Sequence, residues 1–135
     1  MDEAEWFVCI LDSGEFRRLL VYDGGRPSSG WQEFANGSYE IAEVAIGLRN
    51  YTGNKEDLLR ARNDVLKYEK RMESGKFPET LCLVKSKGGE RMTLFETNRR
   101  AVALYLHYFI DSKTPYKEVK GVLGELSGKL ALQSQ

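Results

Sequence analysis

Apolar positions recur along this chain with two periods, one near 2 and one near 3.6 residues, and each predicts an element. Trp6–Leu11 and Phe16–Tyr22 are β-type runs. Asp12-Ser13-Gly14 between them is turn chemistry, since glycine supplies the positive φ of a tight connection. The expectation for residues 5–22 is an N-terminal β-hairpin. Asp23–Gly30 (D-G-G-R-P-S-S-G) holds no regular structure and reads as a loop; Arg26 in it could touch a phosphate, although the Walker spacing is missing. Trp31–Phe34 predicts a short helical turn. In Ser38–Leu48 the two periods compete: Ile41, Val44 and Ala45 fit a helix, whereas Tyr39, Ile41 and Glu43 alternate as in a strand. A short strand followed by a turn is expected there.

The next segment has one period only. Leu58, Ala61, Val65, Tyr68 and Met72 line one face of a helix over residues 55–74. Asn54 is its expected N-cap, Glu56 and Asp57 suit the positive end of the dipole, and Gly75 stops it. Its charged positions, among them Arg60, Arg62, Lys67 and Glu69, read as a solvated face. Leu81–Lys85 and Arg91–Phe95 are strands joined by the turn Lys87-Gly88-Gly89-Glu90. Ala101–Ile110 is apolar on nearly every side, the mark of a helix buried against more than one neighbour. After the break at Asp111–Pro115, Thr114 and Pro115 suit the start of a last helix, expected over residues 115–132, with Val119, Val122, Leu123 and Leu126 on one face. Gly121, Gly124 and Gly128 each weaken that helix by up to about 1 kcal/mol. Strands and helices in this order predict a single α+β domain over residues 1–135, with a small mixed sheet packed against about three helices and a core over about residues 38–110.

Composition narrows the choice of partners. The 20 basic residues balance the 20 acidic ones, so no net field draws the whole protein to nucleic acid or a membrane surface. No apolar run approaches the roughly 18 residues that cross a bilayer, so no membrane partner is expected. The acidic start Met1-Asp2-Glu3 is unlike a signal peptide, and a cytoplasmic location is the expectation. Cys9 and Cys82 sit in apolar runs, without a CxxC pair and with one histidine in the chain, which predicts buried reduced thiols and no structural metal.

The chemistry gathers at Glu96-Thr97-Asn98-Arg99-Arg100, where a strand meets the apolar helix. The first amides of a helix lack intrahelical partners and carry about half a positive charge. Arg99 and Arg100 in the first turn oppose that dipole, a cost that a bound anion offsets. Thr97 or Asn98 can cap the helix or bond a ligand oxygen, and Glu96 is placed to act as a base. The alternative is structural: Arg99 and Arg100 pair with Glu96, Glu43 or Glu40.

A helix, a Gly-x-Phe-Pro, a glycine-turn hairpin, and an apolar strand ending in an Arg-containing box before an Ala-rich helix resemble the ParB/sulfiredoxin-like superfamily. The box here is Glu96-Thr97-Asn98-Arg99-Arg100-Ala101-Val102-Ala103, and the likeness in element order runs from about Ser38 to Tyr108. The resemblance implies that Thr97, Asn98, Arg99 and Arg100 bind nucleotide phosphates at the helix start, with Arg49 as a third arm. It implies ATP, ADP or CTP with Mg²⁺ as ligands, the ion held by Glu96, Glu43 or Glu40. Asn98 stands where sulfiredoxin has its reactive cysteine, which excludes that repair chemistry. Thr97 replaces the usual glycine. The stretch after Tyr108 is too short for a partition protein's DNA-binding domain.

The expected function is therefore a nucleotide- or phosphate-binding domain, as a small phosphotransferase or nucleotide hydrolase with Glu96 as the catalytic carboxylate. The alternative is a non-enzymatic, DNA-associated or nucleotide-sensing accessory protein, with Lys85, Lys87 and Arg91 as a local basic patch. A further alternative is a domain kept for protein contact, with the N-terminal hairpin edge serving a homodimer.

Overall fold

The computed structural model describes residues 4–21, 30–86 and 89–126. Strand β1 (Ala4–Leu11) ends at Asp12, which does not turn the chain back but caps a short helix α1 (Ser13–Arg17). The Asp12 carboxylate accepts from the Glu15 amide at 2.8 Å, and Glu15 Oε1 accepts from the Asp12 amide at 3.0 Å. This reciprocal box satisfies two orphan amides, and its Asp-x-x-Glu signature was present in the sequence. The expected N-terminal hairpin is thus overturned: among the described residues between α1 and the 3₁₀ turn that follows it, only Leu20, through single bridges to Glu40 and Thr93, has strand character.

A 3₁₀ turn (Trp31–Ala35) is followed by helix α2 (Ile41–Arg49) where a strand and turn were expected. Ile41, Val44, Ala45 and Leu48 occupy positions i, i+3, i+4 and i+7 and are fully buried, so the helical period won. Gly47 makes the packing possible. A Cβ there would lie 1.7 Å from the Phe34 carbonyl oxygen, so α2 can rest on the 3₁₀ turn only without one. Helix α3 (Glu56–Glu73) agrees with the sequence to within a residue, but Lys55 and not Asn54 stands at its N-cap and makes no side-chain cap bond.

Strand β2 (Thr80–Ser86) pairs antiparallel with β3, which is trimmed to Thr93–Leu94. Helix α4 (Asn98–Tyr105) runs on into a π-helical turn (Leu106–Ile110). The expected C-terminal helix is instead strand β4 (Val119–Leu126). It pairs antiparallel with β1 and parallel with β2, giving the order β1-β4-β2-β3. Spacing of Val119, Leu123 and Leu126 suits a helix, but Val119, Gly121 and Leu123 also share one face of a strand. The glycines that weaken a helix here allow close approach: a Cβ on Gly121 would meet Leu83 Cδ1 at 2.8 Å, and one on Gly124 would meet the Trp6 ring at 2.9 Å.

The core lies between one sheet face and the helices. Leu11, Leu81, Leu83, Leu94, Val119 and Leu123 face Phe16, Ile41, Val44, Val65 and the uniformly buried run Ala101–Leu106. The half-buried Tyr116 hydroxyl donates to the Leu11 carbonyl at 2.7 Å, tying the approach to β4 to the end of β1, and its partial burial pushes its pKa up to about 12. The predicted loop at Asp23–Ser29, the strand end at Tyr22, the turn residues Lys87 and Gly88, and the proposed helical tail beyond Leu126 lie outside the described residues.

Candidate functional site

The polar segment Glu96–Arg100 begins where β3 stops. The Phe95 amide donates to the Cys82 carbonyl at 2.8 Å, and the Thr97 hydroxyl accepts from the Cys82 amide and donates to its carbonyl, both at 3.2 Å. These bonds pin the strand-to-helix turn to β2. They force Glu96 to a φ of 59°, a left-handed conformation that costs about 1–2 kcal/mol outside glycine. They also decide what Thr97 does. It occupies the N-cap position of α4, but its hydroxyl is spent on Cys82 and makes no capping bond. Helix α4 therefore opens with no side-chain cap from Thr97 and with two exposed arginines in its first turn.

The two arginines differ. Arg99 Nε lies 3.0 Å from Asp64 Oδ2 on α3, in a pair about half exposed on the arginine side. Arg100 is exposed and makes no ion pair among the described residues. Asn98, the next predicted ligand, is buried at the start of α4, and Glu96 is exposed at the turn. Glu96, Thr97, Asn98, Arg99 and Arg100 are thus neighbours along the chain whose side chains take different directions: Thr97 to Cys82, Arg99 to Asp64, Glu96 and Arg100 to the surface. The alternative pairings with Glu96, Glu43 or Glu40 are replaced by Asp64 for Arg99, while Glu40 is engaged by Arg91 and Arg91 also donates to the Arg18 carbonyl.

Arg49 does not join them. It closes α2, and its guanidinium makes a two-point contact with Asp111, Nη1 to Oδ1 and Nη2 to Oδ2, both 2.8 Å. Nη2 also reaches both Glu69 oxygens, at 2.9 and 3.1 Å. Asp111 follows the π-helical turn, at the far end of the helix that Asn98 opens. At about 1.5 Å per residue the two ends stand roughly 18 Å apart. The expected third arm is a structural clasp between α2, α3 and the end of the π turn. Hydrogen bonding to Asp111 raises the Arg49 pKa, and the same contact holds Asp111 down to about 2. Burial, with a hydrogen bond shared with Asp111, pushes Glu69 up to about 7.

Leu66, Glu69, Lys70, Glu73, Asp111 and Lys113 line a shallow concavity of about 440 Å³ beside this clasp. Nothing in the sequence links Arg49 with Asp111. Glu69 carried a signal, because it falls four residues after Val65 and three before Met72, on the buried stripe of α3 and not on its solvated face. Nearby, the buried His107 shares a hydrogen bond with Thr114 Oγ1 at 2.9 Å, and burial lowers its pKa. Thr114 therefore closes the π turn and caps no following helix.

Among the described residues no group of three or more His, Cys, Asp or Glu side chains is arranged to hold a metal ion. Of the carboxylates that the sequence offered for Mg²⁺, Glu40 is engaged by Arg91. Cys9 and Cys82 are free thiols, half-buried, and burial raises the pKa of each. No helix among the described residues is long and apolar enough to cross a membrane.

Fold and site together define an α+β protein with a small four-stranded mixed sheet, whose central buried helix presents an arginine-rich start. Comparisons of the chain with family models, with curated proteins and with solved structures find no match.

Proposed function

We propose that the start of α4 is a phosphate-binding element and that the protein is a nucleotide-binding module, as the likeness of its Glu96–Ala103 box to the ParB/sulfiredoxin-like superfamily implies. The observation that carries this reading is the diversion of Thr97. Its hydroxyl holds Cys82, the helix start lacks that cap, and Arg99 and Arg100 stand exposed at the same end. Two cations in the first turn oppose the helix dipole and gain nothing from it, whereas a phosphate accepts from both the amides and the guanidiniums. The Arg99–Asp64 pair does not block this use. An ion pair this exposed is worth about 0–1 kcal/mol, less than a charge-assisted bond to phosphate. Arg49 takes no part, being held by two carboxylates.

Glu96 is the carboxylate closest in sequence to the bound anion and is the position from which an acceptor hydroxyl would be deprotonated if the module acts on its ligand. Binding is tested by thermal shift with ATP, ADP, CTP and GTP, each with and without Mg²⁺. Nucleotide at a concentration on the order of 1 mM is expected to raise Tm by roughly 3–5 °C, and Arg100→Ala, which alters an exposed side chain, to abolish the shift without lowering the unliganded Tm. An absent shift with all four nucleotides, or an undiminished one in Arg100→Ala, overturns the proposal.

A further inference from the structure

Strand β1 ends the sheet, and among the described residues β4 alone pairs with it. Natural edge strands carry charge, proline or a bulge that discourages further pairing. Residues 6–10 of β1, Trp-Phe-Val-Cys-Ile, have neither charge nor proline, and the pairing of β1 with β4 runs unbroken from Ala4 to Leu11. Trp6, Val8 and Ile10 project from the sheet face opposite the core and are 53%, 69% and 51% exposed; Phe7, on the other face, is 46% exposed. Val122 and Gly124 of β4 continue the apolar face beside them, Val122 next to Val8 and Gly124 beneath the Trp6 ring.

We propose that β1 is a homodimer interface in which two copies pair their edge strands antiparallel about a two-fold axis at Val8, joining two four-stranded sheets into one of eight strands. Side chains directly opposite each other in an antiparallel pair lie on the same face. A dyad at Val8 therefore sets Val8 against Val8 of the partner subunit, and Trp6 against Ile10 of the partner subunit. With the β1–β4 register this makes a central row of Val122, Val8 and their two symmetry mates, and two outer rows running Lys120, Ile10, the partner's Trp6 and the partner's Gly124. The band is apolar across the axis, and the lysines fall at its rim, the usual anatomy of a protein interface.

The occupant is a second copy because the strand is complementary to itself and the size is adequate. Trp6, Phe7, Val8 and Ile10 expose on the order of 400 Å² per copy. Two copies thus offer on the order of 800 Å² of apolar surface flanking the paired backbone edge, close to the about 1,000 Å² of a specific interface. A dyad one residue earlier would pair as many residues but would set the large Ile10 opposite the small Ala4 of the partner subunit.

Sedimentation equilibrium of the full chain at concentrations on the order of 100 µM tests this. The wild type is expected at twice the 15.4 kDa chain mass. Val8→Lys, which sets two ammonium groups facing across the dyad, is expected at the monomer mass with unchanged circular dichroism and Tm, since position 8 is open in the single copy. Cysteine at the dyad gives a second readout: Val8→Cys in a Cys9→Ser background is expected to cross-link on mild oxidation, because opposed residues of an antiparallel pair stand within disulfide reach. A monomeric wild type, a Val8→Lys protein that remains dimeric, or a dimer that does not cross-link through position 8 overturns the proposal. None of these outcomes bears on phosphate binding at α4.

Discussion

Glu69 accepts from Arg49 through both carboxylate oxygens and shares a further hydrogen bond with Asp111, so one proton sets how this clasp responds to pH. The Glu69 pKa rises from its usual 4.5 to about 7 in the folded protein, chiefly through burial. A raised folded value means stability that is complete below about pH 4.5 and is lost as pH rises through about 7. Asp111 behaves in the opposite sense. Its pKa falls from 3.8 to about 2, so its contribution is present above about pH 4 and is lost as pH falls toward 2. Glu69→Gln keeps an acceptor for Arg49 and a donor for Asp111 while removing the titration. Unfolding measured from pH 4 to 8 should show the wild type losing stability between about pH 5 and 7 relative to Glu69→Gln. The difference between the two curves isolates Glu69 from His107, whose lowered pKa tilts stability the other way. Parallel curves would show that the proton does not reside on Glu69. The Arg99 and Arg100 cluster was legible in the sequence because it lies within five consecutive residues. Arg49–Asp111 was not, because its partners are brought together only by the packing of α2 against the end of the π turn.

At the scale of elements, α2 and β4 show how one pattern supports two structures. Ile41, Val44, Ala45 and Leu48 fit the helical stripe, yet alternating Tyr39, Ile41 and Glu43 fit a strand; the contact between Gly47 and Phe34 settles it, since only a helix brings that backbone against the 3₁₀ turn. This gives a substitution with an unusual sign. At an exposed helical site glycine to alanine gains up to about 1 kcal/mol. Here Gly47→Ala should cost about 2–4 kcal/mol in urea unfolding, because the neighbour that must yield is backbone. A neutral or stabilised variant would show that α2 and the 3₁₀ turn are not in this close contact. In β4 the same logic applies to Gly121 and Gly124, which read as helix-weakening in isolation and are close-approach positions between Leu83, Cys9 and Trp6.

For the molecule as a whole, the decisive fact is that the last described strand lies inside the sheet. β4 joins β1 to β2, so the first and last elements of the described chain close the core together. Its pairings span most of the chain in sequence, and no part of the sheet beyond the short β2–β3 pair forms without it. A chain ending before Val119 should therefore show no cooperative thermal transition and should expose Leu81 and Leu83, both fully buried in the intact protein. A sharp transition in the shortened chain would show that β2, β3 and the helices fold without their central strand.

The sequence by itself determined the long helix α3, the strand β2, the buried character of α4 and the grouping of Glu96 to Arg100, because each rests on local periodicity or adjacency. It also held the Asp12–Glu15 capping box, a local signal that outranks the Asp-Ser-Gly turn beside it. Only the tertiary structure decided that Val119–Leu126 is a central strand, that Arg49 is clasped by Glu69 and Asp111, and that Thr97 holds Cys82 and gives α4 no cap bond. These depend on partners 15 to 122 residues away in sequence. The free energy of such contacts comes from burial and hydrogen bonding between distant segments, which no local period encodes.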